Sequence, residues 1–145
     1  MAVAEAAEVE AGADVAAPRV RICSFELWEA DTLVAGEFGC SVGRSYTSYS
    51  GFRTVDCAGT VQMLLTARLL ARAGFSYWDM GQEHAYKLAL GAAVIPRDEF
   101  LDTFRAARAC PNRLEQLVRS DGSVPCELLT ADATADIAAE QRPGG

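Results

Sequence analysis

The order of periodic segments predicts a mixed α/β or α+β domain, with helices packed on a largely antiparallel sheet. Three observations carry this reading. RVRICSFELWE is rich in β-branched and aromatic residues, which suit a pleated, half-buried strand. TVQMLLTARLLARAG sets Val61, Leu64, Leu65 and Leu69 at helical spacing and ends on Gly74, a helix-stop residue. RDEFLDTFRAARA places Phe100, Phe104 and Ala107 on one face, behind Pro96 and the acids Asp98 and Glu99. Those residues belong at a helix N-terminus.

The remaining elements follow in chain order. Residues 1–17 are Ala/Glu-rich and carry no Lys or Arg, so they read as a disordered or weakly helical tail. After the first strand, a turn around Glu29–Asp31 leads into LVAGEFGCSVGRSYTS, and the two stretches form an antiparallel hairpin. Gly36, Gly39 and Gly43 interrupt the second stretch, which predicts a twisted or bulged pair. Ser48–Gly59 reads as a loop with Ser50–Gly51 as its turn signal. Beyond the Val61–Leu69 helix, FSYWDM is a short aromatic strand. AYKLALGA is a short helix that stops at Gly91, and the Phe100 helix follows. Residues 130–145 lack aromatics and large apolar periodicity and read as a second tail. One domain over residues 18–129 remains.

Charge narrows the class. The net charge of −7 is concentrated in the two tails, whereas residues 18–129 hold 12 basic and 13 acidic side chains. A near-neutral body shows no basic stripe of the kind that grips phosphates. Arg105, Arg108, Arg113 and Arg119 form the nearest approach to one. Five scattered cysteines and one histidine, His84, offer no zinc-ligand spacing, and the odd thiol count suits a reducing compartment. No run reaches the roughly 18 apolar residues of a membrane span, and the acidic N-terminus is unlike a transit peptide. The expected location is the cytoplasm.

Among residues able to carry chemistry, Asp79 stands out. It follows Tyr77 and Trp78 in an otherwise apolar strand, where partial desolvation disfavours the charged carboxylate. Such a group can act as a general base if a proton comes within reach. Equally, it can cap the following turn by accepting a backbone N–H near Gly81–Gln82. His84 has no G-x-S-x-G elbow to accompany it, and no phosphate-binding glycine motif is present.

Four segments resemble the catalytic domain of the leucyl/phenylalanyl-tRNA–protein transferases. These are LVAGEFGCSVGRSYTSYSGF, AGTVQMLLTARLLARAGF, YWDM and LGAAVIPRDEF. The last is similar to the family's L-G-A-x-x-I-P-R-x-x-[FY] run, and the resemblance spans roughly residues 33–105. It implies a GNAT-like acyltransferase fold with no metal or organic cofactor. It also implies transfer of a leucyl or phenylalanyl group from aminoacyl-tRNA to a protein N-terminus that begins with Arg or Lys. The product is thereby marked for degradation. Position by position, Asp79 matches the family's catalytic Asp. Tyr46 and Trp78 match positions that enclose the transferred side chain, and Tyr49, Gly81 and Gln82 fall at substrate-handling positions.

The match has departures. The family's Asp-x-Gln reads Asp79-Met80-Gly81 here, with Gln82 one residue late, and Tyr49 stands where the family has a Glu. The family's small N-terminal domain has no counterpart in this sequence. Two alternatives therefore accompany the transferase reading: a non-catalytic binding or regulatory module on the same scaffold, and an acyl-CoA N-acyltransferase. The second lacks the pyrophosphate-binding loop, since TVDCAGT carries one glycine.

Overall fold

The computed structural model describes Ala2–Glu8 and residues 19–131. Most of both expected tails, residues 9–18 and 132–145, lies outside the described residues. Five strands form one sheet in the order β1(Ala2–Glu8), β2(Val20–Glu29), β3(Thr32–Val42), β4(Ser45–Arg53), β5(Tyr77–Asp79). The first three pairings are antiparallel and β4–β5 is parallel. The helices are α1(Ala58–Arg72), α2(Ala85–Ala89), α3(Arg97–Arg108) and α4(Leu114–Leu117), and residues 126–131 are also helical. The predicted mixed architecture with a largely antiparallel sheet is present. None of the described helices is long and apolar enough to cross a membrane.

The backbone of Ala2–Glu8, which composition assigns to a tail, pairs with β2 from Ala2 opposite Glu26 to Glu8 opposite Arg21. An open strand edge offers unpaired N–H and C=O groups to any extended neighbour, and this pairing does not depend on the composition of the added strand.

β2 and β3 form the expected hairpin. Glu29 pairs with Thr32 across a two-residue turn in which Ala30 adopts φ 50°. The next turn differs from expectation. Gly43, at φ 58°, turns the chain between β3 and β4, and Ser50–Gly51 lie inside β4. A Cβ on Gly43 would lie 2.5 Å from the Arg108 carbonyl oxygen, so tertiary packing as well as the left-handed backbone requires glycine there.

Helix α1 is the crossover that a parallel β4–β5 pair needs. It stops at Gly74, φ 80°, as the sequence predicts. Its buried face is rotated from the predicted one: Leu65 and Leu69 are buried, whereas Val61 and Leu64 are 44% and 46% exposed. The inward stripe is Ala58, Gln62, Leu65, Thr66, Leu69 and Leu70. Gln62 and Thr66 can occupy it because Gln62 Nε2 donates to Thr66 Oγ1 at 2.9 Å, which satisfies both at one helical turn's spacing.

The core joins Phe25 and Tyr46 of the sheet to Leu65, Leu69 and Leu70 of α1, with Leu114, Val124 and Leu129 from the C-terminal segment. Helix α3 covers the opposite face of the sheet through Phe100, whose ring centroid is 5.3 Å from that of Tyr77. Phe104 stacks on Phe100 at 6.1 Å and Ala107 is buried, as the periodicity of that helix predicts.

Candidate functional site

The strand register assigns each candidate residue to a face. Tyr46 pairs with Trp78 and Thr47 with Asp79, and successive strand residues point to opposite sides. Tyr46 and Trp78 turn toward the α1 core. Tyr77 turns toward Phe100 of α3, and Asp79, two residues on, shares its face. The candidate aromatic enclosure and the candidate base therefore sit on opposite sides of β5.

Tyr46 is fully buried. Its ring meets Phe25 edge-on at 5.0 Å and lies 6.4 Å from Trp78. Burial pushes its hydroxyl far above the usual phenol range, with the charges of Glu37 and Cys23 adding. That hydroxyl has no hydrogen-bond partner among the described residues. Gly39 makes room for it, because a Cβ there would lie 2.8 Å from the Tyr46 oxygen.

Asp79 is half-buried. Its Oδ1 accepts the Gly81 backbone N–H at 2.8 Å, with Gly81 at φ 72°. The turn-capping role that sequence allows is thus present. The charge of Asp79 also reaches Tyr49 and Tyr77, contributing to the upward shift of both phenols; Cys40 is the larger cause at Tyr49 and burial at Tyr77. Gln82 is exposed, and its carbonyl accepts from Lys87 Nζ at 3.0 Å.

The bulge expected in the β2–β3 hairpin falls at Val34, between the pairs Leu27–Ala35 and Trp28–Leu33; a second one lies in β3–β4, where the sequence predicts a loop from Ser48. Phe38 pairs with Ser50 and Gly39 with Ser48, which leaves Tyr49 as the extra residue of β4. Tyr49 packs edge-on against Phe38 at 6.1 Å and is 58% exposed.

The larger of two cavities, about 770 Å³, lies between the middle of β3, the second half of β4, the start of α1, and α2. Of the six residues singled out in the sequence, Tyr49 alone lines it. The others on its wall include Glu37, Ser48, Phe52, Gln62, Met63 and Lys87. A smaller hollow of about 310 Å³ on the α3 face is lined by Cys40, Thr47, Tyr49, Phe100 and Phe104 among others.

Glu37 is the residue that sequence reasoning missed. Its Oε2 accepts from Ser48 Oγ at 2.8 Å, and Ser48 Oγ in turn accepts from Trp78 Nε1 at 2.8 Å. Burial raises the Glu37 carboxyl above its ordinary range; Ser48, Gln62 and Lys87 oppose that rise. A signal was available: Glu37 is the lone acid within LVAGEFGCSV, the same pattern that singles out Asp79.

Comparison with known proteins fixes the lineage. The family model described as leucyl/phenylalanyl-tRNA protein transferase matches residues 18–105. The chain belongs to this family. The match runs from just before β2 into α3 and contains every residue lining the larger cavity. Among individual members of the leucyl/phenylalanyl-tRNA–protein transferases, the protein of that name from Legionella pneumophila (strain Corby) is 30% identical over 90 residues. That alignment takes in 62% of this chain and 40% of the relative. The Nitratidesulfovibrio vulgaris (strain DP4) protein is 33% identical over 91 residues, 63% and 39% of the two chains. The Shewanella woodyi protein is 29% identical over 101 residues, 70% and 43%. The chain thus spans about two fifths of the length of the curated relatives it matches.

Proposed function

We propose that this chain moves a leucyl or phenylalanyl group from aminoacyl-tRNA to the α-amino group of a protein beginning with Arg or Lys. The reaction would take place in the cytoplasm, and its product would be marked for degradation by its new N-terminus. The observation that carries this reading is the family match over residues 18–105, which includes the whole wall of the larger cavity. The aminoacyltransferase domain is taken as residues 18–129, with buried Leu129 near its end, and the mixed sheet with helices on both faces supports a GNAT-like scaffold.

The chemistry is attack of an amine on an aminoacyl ester: the new C–N bond forms, the tetrahedral intermediate collapses, and the tRNA ribose oxygen leaves as a hydroxyl. An amide replaces an ester, so the step runs downhill without ATP. The protein must hold the two substrates together, accept a proton from the amine and stabilise the oxyanion. We assign the proton-accepting role to Asp79, oriented by the Gly81 amide. Trp78, backed by the buried ring of Tyr46, would enclose the transferred side chain, with Tyr49, Gly81 and Gln82 handling substrate.

A second reading, a non-catalytic binding module, is favoured by one observation: Asp79 caps a turn and lines neither of the two cavities described above. Transfer of labelled leucine or phenylalanine from tRNA to a peptide beginning with Arg or Lys separates the two. Transfer above background that Asp79→Ala abolishes supports the transferase. Background transfer by both proteins, where a family enzyme is active, sinks it.

A further inference from the structure

The half-buried indole of Trp78 is held by two kinds of contact. One is apolar: the ring packs against the core that contains Tyr46, whose ring centroid lies 6.4 Å away at a tilt of 47°. The other is polar. Ser48 lies two residues beyond Tyr46, the strand partner of Trp78, so it shares their face of the sheet, and its Oγ accepts from Trp78 Nε1 at 2.8 Å.

The two contacts constrain the ring differently. An indole turns about a broad, roughly two-fold torsion, and apolar packing accepts either flip because both bury a flat plate. The flips differ in where the N–H points, and a polar partner selects between them. Ser48 is suited to this because its own proton is committed. It donates to Glu37 Oε2 at 2.8 Å, which leaves its lone pairs for the indole. Ser48 also lines the larger cavity, so the hydroxyl that holds the indole stands on the cavity wall.

We propose that Ser48 is a positioning residue: it fixes the orientation of the Trp78 indole, and thereby which transferred side chain the site prefers. The second half of this statement rests on the transferase reading, in which Trp78 encloses that side chain; the first half does not. A phenyl group meets an indole favourably in offset or edge-on geometry, whereas a branched alkyl group makes dispersion contacts that vary little with ring angle. The orientation of the indole therefore matters more for a phenylalanyl donor than for a leucyl one.

The test joins NMR and transfer kinetics on the full chain, ¹⁵N-labelled at its two tryptophans, Trp28 and Trp78; Trp28→Phe assigns the indole N–H resonances. In wild type the Trp78 N–H exchanges with solvent more slowly than that of exposed Trp28, which donates to Glu26 at the surface. Ser48→Ala moves the Trp78 resonance and speeds its exchange, and Ser48→Thr, which keeps the hydroxyl, restores both. In transfer to a peptide beginning with Arg, Ser48→Ala lowers the phenylalanyl-to-leucyl ratio of kcat/KM by about threefold or more, the scale of an oriented aromatic contact. The change falls mainly on KM for the phenylalanyl donor. A smaller folded fraction would lower both rates alike and leave that ratio unmoved.

A Trp78 resonance that alanine does not move, or that threonine does not restore, overturns the positioning. An unchanged ratio beside a moved resonance overturns the specificity and leaves the transferase reading intact. If wild type transfers neither group, the transferase reading fails and the specificity with it, while the resonance still decides whether Ser48 orients Trp78. Ser48→Ala also strips Glu37 of a partner; should it fail to fold, the wild-type exchange rates decide, and a Trp78 N–H exchanging as fast as that of Trp28 overturns the proposal.

Discussion

Trp78 donates its indole N–H to the hydroxyl of Ser48 at 2.8 Å, and that hydroxyl donates onward to Glu37 at 2.8 Å. The bond crosses from β5 to β4, so it ties the strand bearing Asp79 to the cavity wall. Trp78→Phe keeps the ring and removes the donor. Ser48 then holds Glu37 with one partner fewer, and the expected loss is about 1 kcal/mol in urea denaturation. An unchanged midpoint at unchanged slope would show the relay to be energetically idle.

Tyr46 predicts an effect of the opposite sign. Its buried hydroxyl has no hydrogen-bond partner among the described residues, so folding desolvates it without return. Tyr46→Phe should leave the protein as stable as wild type or about 1 kcal/mol more so. A clear destabilisation in the same denaturation measurement would mean that the hydroxyl is in fact satisfied.

Glu37 makes stability depend on pH. Burial raises its carboxyl above the ordinary 4.5, so the unfolded chain gives up this proton first. Between the ordinary value and the raised one the folded state binds more protons, and stability falls as pH rises through that window. Glu37→Gln removes this titration. The stability of the variant relative to wild type should therefore increase from about pH 4 toward neutrality, followed by thermal unfolding. A difference that stays flat across that range would contradict the desolvation argument.

Two glycines of β3 separate backbone from side-chain crowding. A Cβ at Gly39 would stand 2.1 Å from the Thr47 carbonyl oxygen, whereas one at Gly36 first meets the Phe52 ring at 3.1 Å. Phe52 is 50% exposed and free to turn. Gly39→Ala should cost about 2–3 kcal/mol, and Gly36→Ala less than about 1 kcal/mol. Equal losses in chemical denaturation would be inconsistent with this packing.

Asp79→Asn and Asp79→Ala divide turn capping from catalysis. Asparagine retains the Oδ1 acceptor for the Gly81 amide and alanine does not. Stability should fall by about 1 kcal/mol for alanine alone. If Asp79 accepts the proton from the amine, both variants lose transfer by about 100-fold or more. Transfer by the asparagine variant at the wild-type rate would leave Asp79 with a structural role only.

Much of the fold is legible in the sequence because it depends on local periodicity and on residues with special backbone freedom. The β2–β3 hairpin, the stop of α1 at Gly74 and the Phe100–Phe104 face of α3 follow from spacing. The turn at Gly43 was not separable from the glycines around it. Ser50–Gly51 carries the same turn chemistry, and only pairing with Gly36–Phe38 holds it extended. The candidate site is less legible. Asp79 shows itself as an acid in an apolar strand, yet which face it takes depends on the register of β5 against β4.

The sequence by itself determined the lineage, through the run LGAAVIPRDEF, and the kind and order of the main elements, since those follow from short-range spacing and residue type. Tertiary structure decided which stripe of α1 turns inward, because Gln62 and Thr66 can be buried only when each satisfies the other. It also decided that Glu37 pairs one carboxylate oxygen with Ser48 and buries the other without a partner among the described residues. That outcome depends on where a bulge at Tyr49 places Ser48 relative to Trp78, a relation between strands that spacing along one chain does not encode.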